Sequence, residues 1–193
     1  MPTDIPLFPL GTVLYPGGLL PLRIFETRYT DMVRRCMRES EVFGVVQIQA
    51  GTETSPTVRT ADMGTTARIV DFEALKDGLL GVLCKGEVRF RILSRSRQAD
   101  GLNRAGIEWV AEPAAVAVSE EHEPLLEILR DALSRLAKLG RLIEPAYDDA
   151  GWVSYRLAEL LPLPLQVQQQ LLEMDDPNER LRQLAPLIDV SRQ

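Results

Sequence analysis

The sequence predicts an α+β protein in two segregated parts, and three observations carry that expectation. Up to about residue 115, apolar residues alternate or run in short β-branched stretches punctuated by Gly and Pro, whereas from Ser119 onward they recur at helical spacing. One helical segment interrupts the first part, between about Glu26 and Arg38. With 193 residues, 45% hydrophobic and 26% charged, the chain can bury roughly 70% of its unfolded surface without a disulfide or metal. Strands followed by helices read as α+β, divided here into a β-rich subdomain at 1–117 and a helical subdomain at 118–193.

In chain order, Ile5 to Leu22 contains Pro6, Pro9, Pro16 and Pro21, which forbid a continuous helix; Val13, Leu14 and Tyr15 suit a short strand. Pro16-Gly17-Gly18 signals a turn. Tyr29, Met32, Val33, Cys36 and Met37 then fall on one helix face, with arginines and Asp31 elsewhere. Strands are expected at Val42 to Gln49, Arg68 to Phe72 and Leu79 to Cys84, with an irregular, mobile connection over Gly51 to Gly64. Glu87 to Leu93 alternates, so Val88, Phe90 and Ile92 are expected on a core face and Arg89 and Arg91 on a solvated one. Gly106 to Val110 closes the β part.

Leu125, Leu126, Leu129, Ala132, Leu133, Leu136 and Ala137 trace the apolar stripe of a first C-terminal helix. A second is expected over Trp152 to Leu161, and a third opens at Pro164. Asp176-Pro177-Asn178-Glu179 reads as a capped start to a fourth, with Glu179 placed to reach back to the cap and Pro186 predicting a kink or end near Leu184.

Composition excludes several functions. A net charge of −6 opposes a dominant nucleic-acid footprint, and the lysines are only Lys76, Lys85 and Lys138. Cys36 and Cys84 lack a Cys-x-x-Cys spacing and are expected as buried free thiols. Neither GxxxxGK[ST] nor GxGxxG occurs, nor the GxSxG turn of a serine hydrolase. His122, the single histidine, is expected at a solvated helix start, and the pairs Asp148-Asp149 and Asp175-Asp176 suit loops and caps. Trp109 and Trp152 read as partial core. No catalytic residue, cofactor or metal is expected. Arg68, Arg89 and Arg91 are the candidate anion or partner contacts, set against a plain reading as solvated, ion-paired arginines. Met1-Pro2-Thr3-Asp4 does not resemble a signal peptide and no run of about 18 apolar residues occurs, so a cytoplasmic protein without membrane association is expected.

The string IPLFPLGTVLYPGGLLPLRIFETRYTDMV, residues 5–33, resembles the start of the N-terminal, substrate-recognising domain of ATP-dependent Lon proteases. The likeness continues in Phe43 to Val46, in Met63 to Ile69, in Gly86 to Ile92 and in LLEMDDPNERLRQL from Leu171 to Leu184. The resemblance implies a PUA-like β pseudobarrel followed by a helical bundle, in a stand-alone protein that binds unfolded or extended polypeptide or a protein partner through an apolar groove where barrel and helices meet. Lon's Walker motif and Ser-Lys dyad find no matching positions, so proteolysis is not implied. Leu7, Phe8, Leu22, Ile24, Phe25 and Tyr29 are expected to be buried and structural. The PUA-like fold, with Arg68, Arg89 and Arg91, makes an RNA-binding module the alternative.

Overall fold

The first strand, β1 (Thr3–Leu10), is apolar on both faces, and much of the first unit follows from that. The computed structural model describes residues 3–52, 58–136 and 143–190. These fall into two compact units, Met1–Ala111 and Glu112–Gln193.

In the first unit, β1 is followed by β2 (Leu19–Ile24), α1 (Thr27–Glu39), β3 (Phe43–Ala50), β4 (Arg59–Thr60), β5 (Met63–Ala74), β6 (Leu80–Arg97) and β7 (Asn103–Trp109). The strand order β1-β7-β6-β5-β3 closes on itself, because β1 pairs antiparallel with β7 through Thr3–Leu7 and parallel with β3 through Leu7–Leu10. Every other pairing is antiparallel. Ile5 and Leu7 join Val46, Phe90, Ile92, Ala105 and Ile107 in one core. Phe8 and Leu10, on the opposite face of β1, join the buried stripe of α1 (Tyr29, Met32, Val33, Cys36) in a second. Burial on both faces explains why β1 reads as a near-continuous apolar run. Its prolines are tolerated because Pro6 lies in the half paired only to β7 and Pro9 in the half paired only to β3, so each missing N–H can face an unpaired side.

Several expectations change here. Val13, Leu14 and Tyr15 are buried but form no strand; the turn after them is held against β6 by Gly17 N–H to Gly86 O and Gly86 N–H to Gly18 O, both 2.8 Å. The strand segments expected at Leu79 to Cys84 and Glu87 to Leu93 are one 18-residue strand. Arg89 is fully buried rather than solvated, and Val88 is 39% exposed. The cause is a β-bulge: Thr65 pairs with Arg89 and Ala67 with Gly86, so β6 carries an extra residue and the alternation fails there. The hydroxyl of Thr66 serves the bulge, donating to Val88 O and accepting from Val88 N–H, each at 3.1 Å. Phe25 is 60% exposed, against its expected burial, since it follows the last paired residue of β2. Of the expected connection over Gly51 to Gly64, residues 53–57 lie outside the described residues, and β4 and the start of β5 occupy its far end.

The second unit contains a 3-10 turn (Glu120–His122), α2 (Glu123–Arg135), α3 (Ala150–Leu160), α4 (Leu165–Glu173) and α5 (Pro177–Val190). Residues 112–117 go with it: Ala150 N–H bonds Val116 O at 2.7 Å and Ala117 bridges Asp149. α3 touches the other three helices and is buried from Val153 through Ala158. Asp149 caps it through Gly151 N–H at 2.9 Å. Arg180, fully buried, fastens the α4–α5 junction: Nε donates to Leu171 O (2.9 Å), one terminal nitrogen to Ser154 Oγ (2.8 Å) and the other to Met174 O and Tyr155 OH. Its guanidinium lies 3.9 Å from the Tyr155 ring centroid, and that hydroxyl donates on to Glu112 at 3.2 Å.

The α5 cap forms as expected, with Asp176 accepting from Asn178 N–H (2.9 Å) and Glu179 N–H (3.3 Å). Glu179 turns to Arg182 at 2.8 Å instead of back to the cap. Pro186 does not end the helix at Leu184; the buried stripe Leu181, Leu184 and Ile188 carries it through to Val190. Ala137 and Lys138 lie outside the described residues.

Candidate functional site

Beyond Ala67, β5 leaves β3 and pairs only with β6 among the described residues, while β2 lies along the other side of β6. The result is a three-stranded antiparallel ribbon, β2-β6-β5. Its register places Pro21, Leu83 and Asp71 in one row and Arg23, Gly81 and Glu73 in the next. Leu20, Leu22, Ile24, Leu80, Val82 and Cys84 face the core. By strand alternation the Pro21–Leu83 and Arg23–Gly81 rows face away from it.

A groove of about 460 Å³ crosses the ribbon, within the usual range of roughly 300–1,000 Å³ for ligand pockets. Gly81 lies in its lining beneath Leu75 and Glu73, since a Cβ there would lie 3.0 Å from Leu75 Cδ2 and 3.2 Å from Glu73 Cγ. Leu75 sits where the chain turns into β6, held by Leu75 N–H to Leu79 O at 2.8 Å, with Gly78 at φ 82° making the turn. Arg23 pairs with Asp77 of the same turn, tying β2 to it. Asp71 and Glu73 stand along the β5 side with no cation partner among the described residues. Asp71 Oδ1 accepts from Phe72 N–H at 2.8 Å. Val70 (49%) and Phe72 (59%) on β5, and Phe25 (60%) just past the end of β2, are exposed apolar side chains. The groove is open and partly apolar, and two carboxylates in its lining have no cation partner among the described residues.

The structure does not bring the sequence-predicted arginines into one row. Arg68 forms a two-pronged pair with Glu87 (2.5 and 3.1 Å) and donates to Ser40 O at 2.9 Å, so it secures the end of α1; the Glu87 bond holds its pKa above the ordinary arginine value. Arg89 is buried at the bulge. Arg91 is exposed, opposite Glu108 of β7. None lines the groove.

His122 is buried rather than solvated, because it sits three and four residues before Leu125 and Leu126 and extends their stripe. Ser119 Oγ (2.8 Å) and Glu121 Oε1 (3.8 Å) both address its Nδ1, so the three do not form a relay across the ring. Cys36 and Cys84 are free and buried, and burial pushes their thiols up to about 11 and about 12, which makes them poor nucleophiles. Trp152 is half-buried against Tyr147, whereas Trp109 is 46% exposed. Among the described residues no group of three His, Cys, Asp or Glu is placed to hold a metal ion, and no helix is long and apolar enough to cross a membrane.

The groove residues were not singled out by sequence reasoning. Two signals for them are present: the alternation of apolar and acidic residues in Val70-Asp71-Phe72-Glu73, and Pro21 inside an apolar run, which marks an edge strand.

The mixed α and β fold, with its largely antiparallel sheet, matches the folds of Lon N-terminal domains. The structure of the Lon N-terminal domain protein from Xanthomonas campestris is 38% identical, with a TM-score of 0.80 over 95% of this chain and 98% of that one. The N-terminal domain of the Mycobacterium avium complex Lon protease shares the fold at 18% identity and a TM-score of 0.66, over 96% and 97% of the two chains. The family of the ATP-dependent protease La (LON) substrate-binding domain matches residues 4–190, and the chain belongs to it. Lon proteases of Trichlorobacter lovleyi and Escherichia coli K12 are each 28% identical, over 97% and 96% of this chain. The chain spans only 24% of the length of either.

Proposed function

We propose that the protein is a non-catalytic substrate-recognition module of the Lon type, which binds unfolded or extended polypeptide, or a protein partner, in the cytoplasm. The observation that carries this reading is the match of a substrate-binding domain family to residues 4–190. Its architecture is read as a PUA-like pseudobarrel followed by a helical bundle. The groove over Gly81 is its candidate docking place: it is a wide, partly apolar depression in the β-rich unit, and the exposed Phe72 lines it. RNA binding has less support, since Arg89 is buried, Arg68 is engaged by Glu87 and the net charge is −6.

The test is fluorescence anisotropy of a labelled, permanently unfolded polypeptide titrated with the protein, with labelled single-stranded RNA in parallel and a salt series for both. Saturable polypeptide binding that largely survives salt is expected, because apolar contacts are little screened. Binding of RNA alone, falling steeply with salt, would overturn the proposal.

A further inference from the structure

We infer that the groove over Gly81 selects an extended segment in which a bulky apolar side chain lies two residues from Lys or Arg, on the same face. This rests on the reading of the protein as a polypeptide-binding module and specifies the chemistry of what it binds. The floor and ends of the groove are apolar or lack a Cβ, with Pro21, Leu83 and Leu75 around Gly81, so the central position takes an apolar side chain. Its charge is one-sided. Arg23 is neutralised by Asp77, whereas Asp71 and Glu73 stand two residues apart on β5, both exposed and without a cation among the described residues. In an extended ligand, side chains two residues apart share a face, which matches the spacing of these carboxylates. An acidic ligand residue at either place would meet like charge, so the wall excludes as well as attracts.

The same residues decide how the ligand is held. β5 has an unpaired edge beyond Ala67 among the described residues, which would invite a strand to add to the sheet. The Phe72 N–H is already taken by the Asp71 carboxylate, however, which blunts the edge. Recognition therefore runs through side chains in the groove and not through a new backbone ladder.

The experiment uses the full chain and short, labelled, unstructured peptides in which an apolar residue is flanked, two positions away on each side, by Lys, by Glu or by Ser. The Lys-flanked peptide is expected to bind about tenfold more tightly than the Glu-flanked one at low salt, from roughly threefold for each exposed ion pair. The double variant Asp71→Lys with Glu73→Lys, both at exposed positions, is expected to reverse the order while retaining its circular dichroism spectrum. Methylating the peptide's backbone amides should leave affinity unchanged. Equal binding of the Lys and Glu peptides, an unreversed preference in the folded double variant, or loss of binding on methylation each overturns the inference. If the unfolded polypeptide binds but the Lys-flanked peptide does not displace it, the inference fails and the substrate-recognition reading stands; if neither binds, both fail.

Discussion

Replacing Arg180 by Met keeps the length and apolar stem of the side chain and removes the guanidinium. Four acceptors lose a donor: the carbonyls of Leu171 and Met174, Ser154 Oγ and Tyr155 OH. The two hydroxyls keep other bonds, Ser154 to Gly151 O at 2.9 Å and Tyr155 to Glu112, so the Leu171 carbonyl bears the main loss. At about 1–3 kcal/mol for the Leu171 carbonyl, about 0.5–1 kcal/mol for each of the three other bonds and about 1 kcal/mol for the Tyr155 ring contact, the gross cost is about 4–7 kcal/mol. Relief from burying a charge offsets about 2–3 kcal/mol of that, leaving a net destabilisation of about 2–4 kcal/mol. For a unit of this size that lowers Tm by about 10 °C or more. Trp152 lies in α3 beside Ser154 and Tyr155, so its fluorescence in a Trp109→Phe background reports this unit, with the helical circular dichroism signal as a second probe. Arg180→Lys should fall between, since one ammonium cannot reproduce the fork. A Met variant as stable as the parent would refute the reasoning: the leucine stripe alone would then hold the α4–α5 junction.

Three further outcomes are expected. Gly86→Ala should cost roughly 2 kcal/mol or more in urea unfolding, because its Cβ would lie 2.2 Å from the backbone oxygen of Tyr15, whereas Gly11→Ala meets nothing within 4 Å and should be close to neutral. Thr66→Val should cost about 1–2 kcal/mol and speed hydrogen exchange at the Val88 amide, whose partner is the lost hydroxyl; unchanged exchange would show that the bulge does not need it. Burial pushes the Glu159 carboxyl from 4.5 up to about 7 against the pull of Arg156, so the folded state keeps a proton that the unfolded state releases. Its stabilising contribution is full below pH 4.5 and is lost as pH rises to about 7; with the side chain three-quarters buried, the change is about 1–3 kcal/mol. Glu159→Gln should flatten stability across that window, and an equally steep profile in the variant would count against a buried, protonated Glu159.

Local patterns were legible where one element decides its own burial. The α1 stripe of Tyr29, Met32, Val33 and Cys36 is buried as its spacing predicts, and Asp176 caps α5 as its neighbours predict. Errors arose where pairing decides. Arg89 alternates onto a solvated face until a bulge, visible only when β5 and β6 are in register, turns it inward. Pro186 reads as a helix stop, but packing of Leu184 and Ile188 outweighs one missing donor. The groove was hidden for the same reason: Pro21, Gly81 and Glu73 are distant in sequence and become neighbours only when β2 and β5 flank β6. Phe25 and Phe72 look like core residues by composition, and nothing local shows that their strands outrun the core that would cover them.

The double partnership of β1 has a consequence for how the chain emerges during synthesis. Asp4 and Arg104 are ion-paired at 2.6 Å across 100 residues of sequence, and the ladder beneath them joins Thr3 to Ile107. Made before every strand it pairs with, β1 therefore keeps an apolar face uncovered until β7 arrives, and closure of the ring is a slow, long-range step. Nascent-chain crosslinking should find Phe8 and Leu10 shielded by α1 and β3 well before Ile5 and Leu7 are, which makes that uncovered face of β1 a natural handhold for a chaperone.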